Sequence, residues 1–94
     1  MDNILKSLNT GVPVIDVRTL AEYADGHLPG SINIPLSEIP NRLAEFKQQS
    51  EGVVVCCASG IRSNKAVNIL KQHGIECVDS GSWLNLKQLS DLNK

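Results

Sequence analysis

Ninety-four residues with a formal net charge of −1 and a pI near 6.0 offer no basic surface for a nucleic-acid backbone or an anionic membrane, so neither is an expected partner. A chain of this length buries roughly 60–65 % of the surface its unfolded form exposes, which suits one domain over residues 1–94, and its 41 % hydrophobic and 20 % charged content is that of an ordinary globular protein. Three cysteines follow an N-terminus with no basic-then-apolar export pattern, and no apolar run approaches membrane length, so a cytoplasmic protein with reduced thiols is expected instead of a disulfide framework.

Asp2 is placed to cap a short helix carrying Ile4, Leu5 and Leu8 on one face, stopped at Asn9-Thr10-Gly11. Residues 12–17 read as a strand, with Pro13 near its start where a missing N–H is tolerated. Asp16 and Arg18 fall at the C-terminal end of that strand, the edge of an open parallel sheet where ligand sites gather. Thr19 and Glu22 form a capping box that starts a short helix through Ala24. Residues 25–30 are dense in turn formers, and 31–34 form a brief strand closed by Pro35. Ser37 is expected to cap a helix running to about Gln49, with Ile39, Leu43 and Phe46 at helical spacing and Pro40 in its first turn.

Val53-Val54-Val55 then reads as a strand buried on both faces. Polarity changes abruptly after it, through two cysteines, small residues, Gly60, Arg62 and Ser63, before a helix over about 62–73 that Gly74 ends. Residues 75–79 are another strand, 80–83 a turn, and 84–92 a closing helix. Strands alternating with helices over short loops predict an α/β domain, with a mainly parallel sheet of about four to five short strands covered by helices on both faces.

The informative stretch is the one after the valines. A strand that feeds a helix N-terminus through a short loop brings unpaired N–H groups and about half a positive charge to one point. A thiol held there is stabilised as thiolate, whereas a free cysteine of pKa ~8.5 is only about 3 % ionised at pH 7. Side chains alternate along a strand, so Cys56 and Cys57 should face opposite sides, with Cys56, like Cys77, a small buried hydrophobe. No metal or cofactor is called for: His27 and His73 are far apart, and neither lies near a Cys-x-x-Cys pair.

Three segments, in order, resemble signatures of the single-domain rhodanese (thiosulfate sulfurtransferase) family. The first is Val14-Ile15-Asp16-Val17-Arg18 with Glu22-Tyr23, Gly26-His27-Leu28-Pro29-Gly30 and Ile32-Asn33-Ile34-Pro35. The second, Cys57-Ala58-Ser59-Gly60-Ile61-Arg62-Ser63, is similar to the family's Cys-x-x-Gly-x-Arg-Ser loop. The third is Val78-Asp79-Ser80-Gly81-Ser82-Trp83, where Ser82 replaces the second glycine of the family's turn. The resemblance implies a rhodanese-like fold and a Cys57 nucleophile that carries sulfane sulfur as a persulfide. It also implies a thiosulfate-like donor and a cyanide or thiol acceptor.

On this reading the N–H groups of Ala58, Ser59, Gly60, Ile61 and Arg62 cradle the anionic sulfur and the leaving sulfite. Arg62 either adds a fixed positive charge for the donor or pairs with Asp16 or Glu22, and Ser63 either bonds at the loop base or caps the helix. Asp16 and Arg18 either border the site or tie neighbouring loops, His27 fixes its turn, and Trp83 anchors the core. The spacing from Cys57 to Arg62 is Cys-x4-Arg, one residue shorter than the Cys-x5-Arg loop of the related phosphatases and arsenate reductases, and a smaller cradle suits a sulfur atom better than a phosphate. Ala58 and Ile61 are uncharged where a basic residue would strengthen thiosulfate binding. That keeps open a persulfide-carrier or sulfur-relay module docking on a partner protein.

Overall fold

The computed structural model describes residues 11–92, apart from the side chains of Ser90 and Leu92; the helix expected after Asp2 lies outside the described residues. Among the described residues four strands form one sheet: β1 (Val14–Asp16), β2 (Ile32–Asn33), β3 (Val53–Cys57) and β4 (Cys77–Ser82), in the order β2-β1-β3-β4. Every pairing is parallel. All strands therefore deliver their C-terminal ends to one edge. The helices are α1 (Leu20–Ala24), α2 (Leu43–Lys47), α3 (Ile61–Gln72) and α4 (Trp83–Leu92). The expected α/β architecture with a parallel sheet is thus the observed one.

The strand period sorts the core. Val53, Val55 and Cys57 point into a cluster with Ile39, Phe46, Ala66, Val67 and Leu70, while Val54 and Cys56 point the other way, towards Val14, Leu28 and Leu86. The first cluster is closed by α2 and α3 and the second by α4, so β3 has no polar face and can be a run of valines. Gly52 makes the tight entry to β3 feasible: its φ is +91°, and a Cβ there would sit 2.9 Å from the carbonyl oxygen of Glu76.

Two elements differ most from the sequence expectation. Residues 37–49 are not one helix capped by Ser37. A 3-10 helix, Leu36–Asn41, begins after Pro35, breaks at Arg42 (φ −126°) and is followed by the single-turn α2. Pro40 is the physical cause, because it has no N–H to donate and disfavours the α conformation at the residue before it. The i→i+3 pattern absorbs this while still burying Ile39 and Phe46. The last strand is Cys77–Ser82 instead of 75–79, running on through the expected turn. A bulge lets it do so: pairing shifts from Val55 with Asp79 to Cys56 with Gly81, and the Ser80 hydroxyl donates to the Val55 carbonyl at 2.9 Å.

Candidate active site

β3 ends at Cys57 and α3 begins at Ile61, so three residues must reverse the chain. Gly60 does this as the residue capping α3, with φ of 100°. That left-handed backbone aims its own N–H at the Cys57 Sγ, 2.9 Å away. It also sets Gly60 beside the end of β4, where a Cβ would lie 3.7 Å from the Gly81 Cα.

Because α3 starts one residue earlier than expected, Ser63 is its third residue and not its cap. Its hydroxyl turns inward, fully buried, 3.3 Å from the Cys57 Sγ and 3.1 Å from the Gly60 carbonyl oxygen. Ser63 has one hydroxyl proton. With a neutral thiol, the S–H donates to Ser63 Oγ, which in turn donates to Gly60. With a thiolate, the same hydroxyl can turn its proton to the sulfur. Burial works against the Cys57 thiolate, but the Ser63 hydroxyl and the N–H groups of Ser63, Gly60 and Ser59 outweigh it and hold the thiol below its ordinary range.

Of the placements open to Arg62, the structure shows the ion pair. Its guanidinium forks onto Glu22 of α1, at 2.5 and 2.9 Å, so Glu22 is its partner of the two carboxylates considered. Glu22 also completes the capping box, accepting from the Thr19 N–H at 3.2 Å while the Thr19 hydroxyl accepts from the Glu22 N–H at 3.3 Å. Arg62 first, then Thr19, hold the Glu22 carboxyl at about 2. Of the other residues expected to form the cradle, Ala58, Ser59 and Ile61 are exposed and Gly60 is half-buried.

Asp16 and Arg18 form a buried pair whose charges act on Cys56. The Arg18 Nε and Nη2 grip the Asp16 carboxylate at 2.8–3.0 Å, and Nη2 also donates to the Gly26 carbonyl at 2.7 Å. Its guanidinium lies over the Trp83 ring, 4.9 Å from the centroid. Of the two roles open to this pair, the contacts describe a tie between β1, the 25–30 loop and α4. Burial first, and Asp16 second, push the Cys56 thiol up to about 12. His27 stacks on Tyr23 at 3.8 Å, with Nδ1 2.8 Å from the Tyr23 carbonyl oxygen, which fixes its turn. Cys77 is a core residue, and burial raises its pKa. Among the described residues no group of three or more His, Cys, Asp and Glu is placed to hold a metal, and no helix is long and apolar enough to cross a membrane.

A parallel sheet with a hydrogen-bonded thiol at the C-terminal end of a central strand defines a class, and the comparisons agree with it. The model of the rhodanese-like domain family matches residues 1–87, and the chain belongs to that family. It is 38 % identical over 76 residues to a sulfurtransferase of Allochromatium vinosum, covering 81 % of this chain and 65 % of that protein. It is 37 % identical over 65 residues to YrkF of Bacillus subtilis, described as a putative sulfur carrier protein, covering 69 % of this chain and 35 % of that one. The crystal structure of a rhodanese-like domain protein from Staphylococcus aureus superposes with a TM-score of 0.72 at 37 % identity, over 78 % of this chain and 71 % of that one. The chain thus spans only about a third to two thirds of those two curated relatives, at 35 % and 65 %.

Proposed function

We propose that the chain is a sulfurtransferase that moves sulfane sulfur from a thiosulfate-like donor to a thiophilic acceptor through a persulfide on Cys57. The observation that carries the reading is the set of hydrogen bonds on one sulfur atom, with the Gly60 N–H at 2.9 Å and the Ser63 hydroxyl at 3.3 Å. The Cys57 thiolate attacks the outer sulfur of the donor. A new S–S bond forms, the donor's S–S bond breaks, and sulfite leaves with the electron pair. Cyanide or a thiolate then attacks the outer sulfur of the persulfide, and Cys57 departs as thiolate into the same hydrogen bonds, a ping-pong sequence with no second acid or base. Cys57 has no solvent exposure in this conformation, so donor arrival requires the exposed Ala58-Ser59 turn to yield.

A second reading, a sulfur-relay module serving a partner protein, draws support from Arg62. With its guanidinium forked onto Glu22 and with Ala58 and Ile61 uncharged, the loop offers thiosulfate little beyond its N–H groups. The same pairing argues against a phosphatase or arsenate reductase, which needs that arginine for its oxyanion.

The test is intact mass after incubation with thiosulfate, and separately with an alkyl persulfide. Wild type should gain the mass of one sulfur atom and lose it to cyanide, and Cys57→Ser should gain none. An adduct that persists in Cys57→Ser would overturn the assignment. An adduct from the alkyl persulfide alone would favour the relay reading.

A further inference from the structure

Resting on that sulfur-transfer reading, we infer that the rim around Cys57 is a docking surface for a protein segment that presents its sulfur-accepting cysteine between apolar side chains. Four large apolar side chains are exposed among the described residues: Leu20 (68 %), Ile61 (67 %), Leu84 (52 %) and Ile32 (46 %). Three of these four occupy the first or second position of a helix that follows a strand. Leu20 opens α1 after β1, Ile61 opens α3 after β3, and Leu84 is second in α4 after β4. The strands are parallel, so all three helix starts lie at the sheet edge where β3 delivers Cys57.

Contacts draw those starts together. Arg62 of α3 grips Glu22 of α1, Gly60 approaches Gly81 at the end of β4, and Arg18 after β1 lies over Trp83, which opens α4. Apolar side chains gathered at one place on a surface, around a reactive group, mark an interaction site, whereas scattered ones carry no meaning.

The charges at this edge favour the same occupant. Arg62 is neutralised by Glu22, and Arg18 by Asp16. The open cleft beside the loop, about 460 Å³ and lined by Ser59, Gly60, Ile61, Asn64, Lys65 and Asp79, contributes one charge of each sign. The side chains at this edge therefore add no net positive charge for a small dianionic donor. A cysteine with apolar neighbours buries Leu20, Ile61 and Leu84 as it arrives. In the transfer its thiolate, having released its proton to solvent, attacks the outer sulfur of the Cys57 persulfide. One S–S bond forms and one breaks, the electron pair returns to Cys57, and there is no net oxidation or reduction.

The full chain, loaded at Cys57 with inorganic polysulfide and desalted, is offered two synthetic peptides, one with cysteine between leucines and one with cysteine between serines, and separately cyanide. Wild type should pass sulfur to the leucine-flanked peptide at least ~10-fold faster, since each well-buried leucine contributes roughly that factor. The double variant Leu20→Ser with Leu84→Ser should bring the ratio towards one while leaving the cyanide rate unchanged. Ile32→Ser, an exposed apolar residue on the edge strand, should leave the ratio as in wild type. Equal rates for the two peptides in wild type, or a ratio indifferent to the double variant, would overturn the inference. So would a wild-type dimer in sedimentation that the double variant dissolves, which would assign the rim to a second copy. Failure of polysulfide to load Cys57, or of cyanide to unload it, would instead bring down the sulfur-transfer reading itself.

Discussion

Cys56 and Cys57 are neighbours in the chain and fully buried, yet the two sides of β3 treat them in opposite ways. On the Cys57 side, the chain reverses at once into α3, and hydrogen bonds from backbone N–H groups and the Ser63 hydroxyl offset the cost of burial. On the Cys56 side, the thiol meets Val14, Val54 and Leu86 with the Asp16 carboxylate nearby, and its pKa is pushed up to about 12. Burial is common to both. What separates the two thiols here is the donors facing them, and strand alternation decides which cysteine receives those donors.

The largest effect in breaking this contrast belongs to the Cys56 side. Asp16→Ala leaves the Arg18 guanidinium buried without its carboxylate, and truncating one partner of a buried pair typically costs about 3–5 kcal/mol. Chemical denaturation should show that loss, while the alkylation rate of Cys57 in the protein still folded stays close to wild type.

Ser63→Ala acts on the other side. It removes a hydrogen bond to a charged sulfur, worth about 1.5–3 kcal/mol, so sulfur loading near neutral pH should fall about 10- to 100-fold. The sign follows from which form reacts. The thiolate is the nucleophile, and Ser63 lowers the thiol pKa, so the variant's rate–pH profile should move to higher pH and recover in alkaline solution. A uniform loss at every pH would mean that Ser63 acts on the fold and not on the sulfur.

Cys56→Ala should cost about 1 kcal/mol of stability, as small core truncations do, and leave sulfur loading unchanged. A large loss of loading would give the second thiol a part in the chemistry. The smallest effect concerns the tie between α1 and α3. The Glu22 carboxyl sits at about 2 when folded against an ordinary 4.5, so the tie contributes fully above the ordinary value and is lost as pH falls through about 2. Glu22→Gln keeps an acceptor for the capping box but removes the charge, so stability should depend less on pH across that window, and thiosulfate, with Arg62 released, should bind several-fold more tightly.

Much of this site is legible from residue types in order. A valine run followed by Cys57, small residues, Gly60, Arg62 and Ser63 already specifies a buried strand, a reversal needing positive φ and a helix start, because each step is local. The opposite facing of Cys56 and Cys57 follows from the strand period alone. What local sequence does not encode depends on distant partners. Whether Arg62 meets Glu22 or Asp16 is decided across 40 residues by how α1 docks, and no local pattern encodes it. The run of β4 through Ser80 and Gly81 depends on backbone pairing with Cys56 and Cys57, which needs no strand-forming side chains. The break at Arg42 was signalled by Pro40, but apolar spacing alone carries a helix across it.

The contrast between the two thiols is tested most directly by ultraviolet thiolate absorbance as a function of pH, in wild type, Cys57→Ser and Cys56→Ala. Wild type should show one transition below the ordinary thiol range, retained in Cys56→Ala and absent from Cys57→Ser. A low-pH transition that survives in Cys57→Ser would contradict that contrast.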